Sequence, residues 1–194
     1  MRRHLLCLVV LTFACHLAAN AQDSIFHHLN ERIAERISML NDCISFMTDK
    51  SNDLETRQFY KKRALKLFVG QGYTYEENGI AKDGVRITIT STNKSRPRSY
   101  LVRTYFNGLI NLAYPKVSIN FHNIDTSSWE KVNSNLYVCF YYFVQQFIGY
   151  RDGTPIYKDI TRKKVKCYVE VQDTEYGKEY VVLLGDIYAI DTKQ

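Results

Sequence analysis

The chain has 194 residues, 45% of them hydrophobic, with 26 basic against 20 acidic side chains and a formal net charge of +6. This length and apolar content suit a domain with a real core and exclude a disordered or fibrous chain. The positive excess is mild. Its clusters (Lys61-Lys62-Arg63-Lys66, Arg96-Arg98-Arg103 and Arg162-Lys163-Lys164-Lys166) read as solvated surface rather than a nucleic-acid face.

Residues 1–21 read as a cleaved secretory signal. Arg2 and Arg3 precede an apolar run of ten residues, Leu5 to Ala14, and Ala19-Asn20-Ala21 supplies the small-x-small site for cleavage after Ala21. Ten residues rise about 15 Å as a helix, half of a bilayer core, so no transmembrane segment is expected. Residues 22–194 then form a single domain in a secreted or periplasmic compartment. Cys15 in Thr-Phe-Ala-Cys is a poor lipidation site because of bulky Phe13.

A helix is expected over residues 26–47, where Phe26, Leu29, Ile33, Ile37, Leu40, Ile44 and Met47 step by three and four. A second should run from Leu54 to Val69, burying Phe59, Leu65 and Phe68, and end at Gly70 and Gly72. Tyr73 to Glu77 and Val85 to Thr90 read as a short hairpin around Asn78-Gly79 and Asp83-Gly84. Ser91 to Pro97 is a polar loop. Ser99 to Ala113 returns to helical spacing.

Beyond Lys116 the pattern is strand. Val117, Ile119 and Phe121 alternate with Ser118, Asn120 and His122. Asn135 to Tyr150 is aromatic and β-branched, Asp152-Gly153 turns, and Tyr157 to Asp173 carries Val165, Cys167, Val169 and Val171 on one face. The last strand, Glu179 to Asp191, is apolar on both faces and should lie centrally, with a bulge or bend at Gly185. The class is α+β: N-terminal helices packed on a curved antiparallel sheet, a cone-like shape able to hold a pocket.

Three cysteines remain beyond the signal: Cys43, Cys139 and Cys167. Cys139 and Cys167 are equidistant from Gly153, so they face each other across two strands as a disulfide or as buried thiols. No metal-ligand spacing, phosphate-cradling loop or nucleophile motif occurs, so neither metal nor cofactor is expected. Asp186 is the acid of most interest, because it interrupts an apolar strand with Tyr180, Val182, Leu184, Tyr188 and Ile190 on its face. If that face lines the cone, Asp186 is a base with Tyr188 or Tyr142 as donor. Otherwise it is a carboxylate bound to backbone or to a lysine near the bulge. His122 is expected exposed, as are His27 and His28. The fifteen tyrosines suit a half-buried sheet and also recognition. Asn93-Lys94-Ser95 is a glycosylation sequon only in a eukaryotic cell.

The element order, with the aromatic strand through Gln145-Gln146-Phe147, the Tyr157-Lys158-Asp159 segment leading into Lys163-Lys164-Val165, and the closing Leu184-Gly185-Asp186-Ile187, resembles the nuclear transport factor 2-like (cystatin-like) superfamily. The segments look like the final strands of small exported bacterial members. The resemblance implies ketosteroid-isomerase-like or cyclase-like enzymes, or members that only bind small molecules or proteins. No catalytic residue transfers by motif. The expected role is an exported non-enzymatic module binding a small molecule or partner protein through the cone or sheet face, with self-association through the sheet. The alternatives are an isomerase-type enzyme with a carboxylate base in the cone, and an envelope component whose basic face meets anionic lipid or glycan.

Overall fold

A computed structural model describes the backbone of residues 2–91 and 94–193, and the side chains of that range other than 2–24, 91, 94–95 and 123–124. The expected leader with Cys7 and Cys15, and the Asn93 sequon, therefore lie outside the residues whose side chains are described.

In α1 (Arg2–Thr48) the described apolar stripe is buried as its spacing requires: Leu29, Ile33, Ile37, Leu40, Ile44 and Met47 are all within the core. The helix stops where polar side chains take over its last bonds. Thr48 Oγ1 donates back to the Ile44 carbonyl at 2.8 Å, and Asp49 Oδ1 accepts from the Ser51 N–H. Asp53 then caps α2 (Leu54–Leu65), accepting from Thr56 N at 2.7 Å. This helix is shorter than its periodicity suggests, and Phe59 lies on its solvent side at 57% exposure. Tyr60 takes the inward place instead, its ring stacked on Phe46 at 4.5 Å. A 3-10 turn, Val69–Gly72, follows.

The Asn78-Gly79 turn has positive φ at both residues (51° and 74°) and closes a two-residue hairpin, β1 (Tyr75–Glu77) with β2 (Ile80–Lys82). So tight a turn leaves residues 85–90 without a place in that hairpin, contrary to the expected pairing. They form β3 (Arg86–Ser91) in the main sheet. The expected polar loop is largely β4 (Lys94–Leu101), an edge strand carrying Arg96, Pro97 and Arg98. An edge tolerates proline because one row of its N–H groups has no partner strand. β4 takes the first residues of the expected third helix, so α3 spans only Val102–Ile110.

The remaining strands are β5 (Lys116–Thr126), β6 (Glu130–Asn133), β7 (Leu136–Arg151), β8 (Thr154–Thr174) and β9 (Gly177–Lys193). They form one large sheet of order β4-β3-β9-β8-β7-β5, with the short exposed β6 also on β7. Every pairing is antiparallel except β3 with β9. The final strand is thus internal, as its two apolar faces demand. The fold is α+β, with the helices contributing to one continuous core against alternate residues of the sheet, among them Tyr141, Phe143, Val165, Val169 and Leu184. Among the described residues no helix is long and apolar enough to cross a membrane.

Candidate binding cavity

Strand β8 changes character halfway along one face. Val165, Cys167, Val169 and Val171 pack into the core, while Tyr157, Asp159, Thr161 and Lys163, on the same alternation, carry polar groups. Beyond the end of the core, this polar half meets Gln145 and Phe147 of β7 and Ile89 and Thr90 of β3. Tyr105 and Leu109 of α3, with Leu112 and Tyr114 after it, close the other side of a cavity of about 390 Å³. Tyr114 can lie across the sheet because residue 149 is glycine: a Cβ there would stand 2.8 Å from its ring. Tyr114, Phe147 and Tyr157 form a ring cluster with centroids 5.9–6.2 Å apart.

Lys163 is 8% exposed, yet it is among the residues lining the cavity. Its Nζ donates to Gln145 Oε1, and Gln145 Nε2 donates to Asn41 Oδ1 at 3.1 Å, leaving the buried Asn41 Nδ2 without a partner. Burial pulls the ammonium down to about 8, against a smaller opposing pull from Asp159. Asp159 is itself raised by burial, although Tyr157 OH donates to its Oδ2 at 2.7 Å and Lys163 attracts it. Burial, with Asp159 nearby, pushes the Tyr105 hydroxyl up to about 12. Thr161 Oγ1 lies 3.0 Å from Thr192 Oγ1, which also bonds Thr90; Thr90 and Thr161 line the cavity. Acid and base groups shifted by burial and lining one open cavity mark it as the candidate site.

Asp186, Tyr188 and Tyr142 lie elsewhere. The ladder between β8 and β9 slips by one residue at Gly185-Asp186, so Val182 and Leu184 face the helices before the slip and Ile187 does so after it. Asp186 and Tyr188 are turned to the outer face, so the expected grouping of Asp186 with Tyr180, Val182 and Leu184 is corrected. There Asp186 Oδ1 accepts from the Arg86 N–H at 2.7 Å and Oδ2 from Tyr188 OH at 3.2 Å. Tyr142, between the inward Tyr141 and Phe143, is also on the outer face. Lys164 sits 5.3 Å over the Tyr188 ring and 5.1 Å over Phe140. His27, His28 and His122 are exposed.

No protein-family model matches this chain, and no curated protein or solved structure matches it.

Cys139 and Cys167 are register partners, both buried and both free in this structure; Cys43 is a third buried thiol, on α1. Their opposition depends on a one-residue slip at Ile156, beside Pro155, which restores the register that even spacing from Gly153 implies. Burial pushes the Cys167 thiol well up and raises that of Cys43. Among the described residues, no group of three His, Cys, Asp or Glu side chains can hold a metal ion. On the outer face Glu77 anchors the β1–β2 hairpin, accepting from Lys166 Nζ at 2.6 Å and from Tyr168 OH. Burial pushes Glu77 up, but these bonds outweigh it and hold the carboxyl below its ordinary value.

Sequence reasoning missed Lys163 as a site residue by counting it with a solvated basic cluster. The signal was present: Lys163 shares the alternation of Val165, the first of the four core positions, whereas Arg162 and Lys164 do not.

Proposed function

We propose that this protein binds a small molecule in the cavity between α3 and the sheet, recognising a flat apolar body and a hydrogen-bonding head. The buried amine of Lys163 carries this reading. It sits in an open cavity where no packing role requires a charge, at a cost to stability that an apolar side chain would not incur. The ring cluster suits the body of the ligand. Lys163, Asp159, Tyr105 and the threonine hydroxyls suit its head. A panel of aromatic alcohols, acids and amides, titrated into isotope-labelled protein, tests this by NMR. Shifts confined to cavity residues and lost in Lys163→Met are expected; shifts scattered over the surface, or unchanged in the variant, would refute it.

A second reading is proton transfer of the ketosteroid-isomerase kind. Asp159, rather than Asp186, is the carboxylate in the cavity, and its raised pKa with a tyrosine hydroxyl 2.7 Å away favours this reading. Membership of the nuclear transport factor 2-like superfamily is likewise proposed, supported by two helices, two strand pairs and a third helix preceding the long strands, and by the last strand running parallel to β3. Export rests on residues 1–21 alone, and N-terminal sequencing of the protein from its native cell tests cleavage after Ala21. Self-association through the outer face, where Tyr142, Val144, Leu183 and Tyr188 are half-buried, is tested by the mass in solution at high concentration. A monomer there removes it.

A further inference from the structure

We propose that Lys163 is a nucleophilic amine that captures a carbonyl compound, an aldehyde or ketone on a flat apolar body, as an imine inside the cavity. This rests on the binding reading above and adds the ligand's reactive group. Lys163 differs from the neighbouring lysines of its own strand in what holds its charge. Lys166 is ion-paired with Glu77, and Lys164 lies over two aromatic rings, both on the outer face. Among the described residues no carboxylate comes within 4.0 Å of Lys163 Nζ, and its one hydrogen-bond partner is the neutral Gln145 amide.

An amide oxygen accepts a hydrogen bond from an ammonium and, more weakly, from a neutral amine, so Gln145 orients the nitrogen in either state without the full ionic partner a carboxylate would supply. Burial favours the neutral, nucleophilic form. The reacting carbon has room, since Lys163 lines a cavity of about 390 Å³ that the ring cluster of Tyr114, Phe147 and Tyr157 also lines.

In the step itself, the Nζ lone pair forms the C–N bond and the carbonyl π bond moves to oxygen. The two N–H protons pass to that oxygen, the C–O bond breaks and water leaves. Asp159 and its donor Tyr157, on the same face of β8, are the cavity's groups for relaying those protons. No oxidant or reductant is consumed, and hydrolysis reverses the capture.

Benzaldehyde with sodium cyanoborohydride at pH 7 tests this on the unmodified protein, because the hydride reagent fixes an imine as a benzylamine that peptide mapping locates. Lys163 should be labelled at least about tenfold faster than any other lysine, since the fraction of neutral amine is larger for a depressed lysine. Labelling there should be slowed by benzyl alcohol and abolished in Lys163→Met. Labelling of Lys163 no faster than that of exposed lysines overturns the proposal. Binding of benzyl alcohol, followed by NMR, separates the two claims. If it shifts cavity residues while no adduct forms at Lys163, imine capture is wrong and small-molecule binding stands. If neither occurs, both are wrong.

Discussion

Lys163→Met should stabilise the protein at neutral pH and lose that advantage in alkali. Burial carries the ammonium from 10.5 to about 8. At about 1.4 kcal/mol per pH unit, holding it charged in the folded state costs about 3 kcal/mol. Methionine has similar length and no charge, but leaves Gln145 Oε1 without its donor, a loss of about 1–2 kcal/mol. The variant should therefore be more stable than the wild type by about 1–2 kcal/mol at pH 7. The sign with pH follows from which state binds the extra proton. Between pH 8 and 10.5 the unfolded chain keeps Lys163 protonated and the folded chain does not, so wild-type stability rises relative to the variant. Above 10.5 both states are neutral and only the lost hydrogen bond remains. The two stability curves should cross at about pH 9–10. Urea unfolding of both proteins at matched pH from 6 to 11 measures the difference, and the ionisation of tyrosines and cysteines largely cancels between them. A gap that stays constant with pH would refute the claim that Lys163 is buried as a costly charge.

Asp186→Ala removes the acceptor for the Arg86 N–H and should destabilise by about 1–3 kcal/mol, while ligand-induced shifts in the cavity stay unchanged. Loss of cavity binding with normal stability would reverse that assignment. Asp159→Asn should raise the urea midpoint at pH 7, because the folded carboxyl is held above its ordinary value; the gain should vanish below that value, where both states are protonated. A gain that persists in acid counts against it. Gly149→Ala forces a Cβ against the Tyr114 ring and should cost about 1–3 kcal/mol, most of it recovered by adding Tyr114→Ala; no recovery would mean the clash lies elsewhere. Native Cys43, Cys139 and Cys167 should resist an aromatic disulfide reagent until the protein is unfolded, and rapid native reaction would show that their burial is misjudged.

Much of the fold was legible wherever periodicity was long and uninterrupted. The α1 stripe, the aromatic β7, the valine face of β8 and the internal position of β9 all follow from alternation or helical spacing over ten residues or more. Short elements were not legible, since their partners are set by tertiary contact. Residues 85–90 read as half of a hairpin, but Asn78-Gly79 had already closed one with residues 80–82. The polar segment around Pro97 read as a loop, although an edge strand accepts the same composition. The site was obscured by two local features. A bulge at Gly185 was expected, yet its effect on which side Asp186 faces was not carried through the remaining residues. Lys163 was grouped by its basic neighbours rather than by its strand alternation.

That bulge changes the phase of β9: even-numbered side chains point to the helices up to Leu184 and odd-numbered ones at Ile187, until a second slip opposite Arg162 and Lys163 returns Thr192 to the side of Thr161. Deleting Gly185 would erase the phase change, turning Ile187 outward and bringing Asp186 and Tyr188 into the apolar interior. Substituting it is no gentler, because a Cβ there would stand 2.6 Å from the Tyr168 ring that holds the β1–β2 hairpin through Glu77. Sequence length at this one point is therefore fixed from both sides. An insertion or deletion at Gly185 exchanges interior for surface in the residues that follow it.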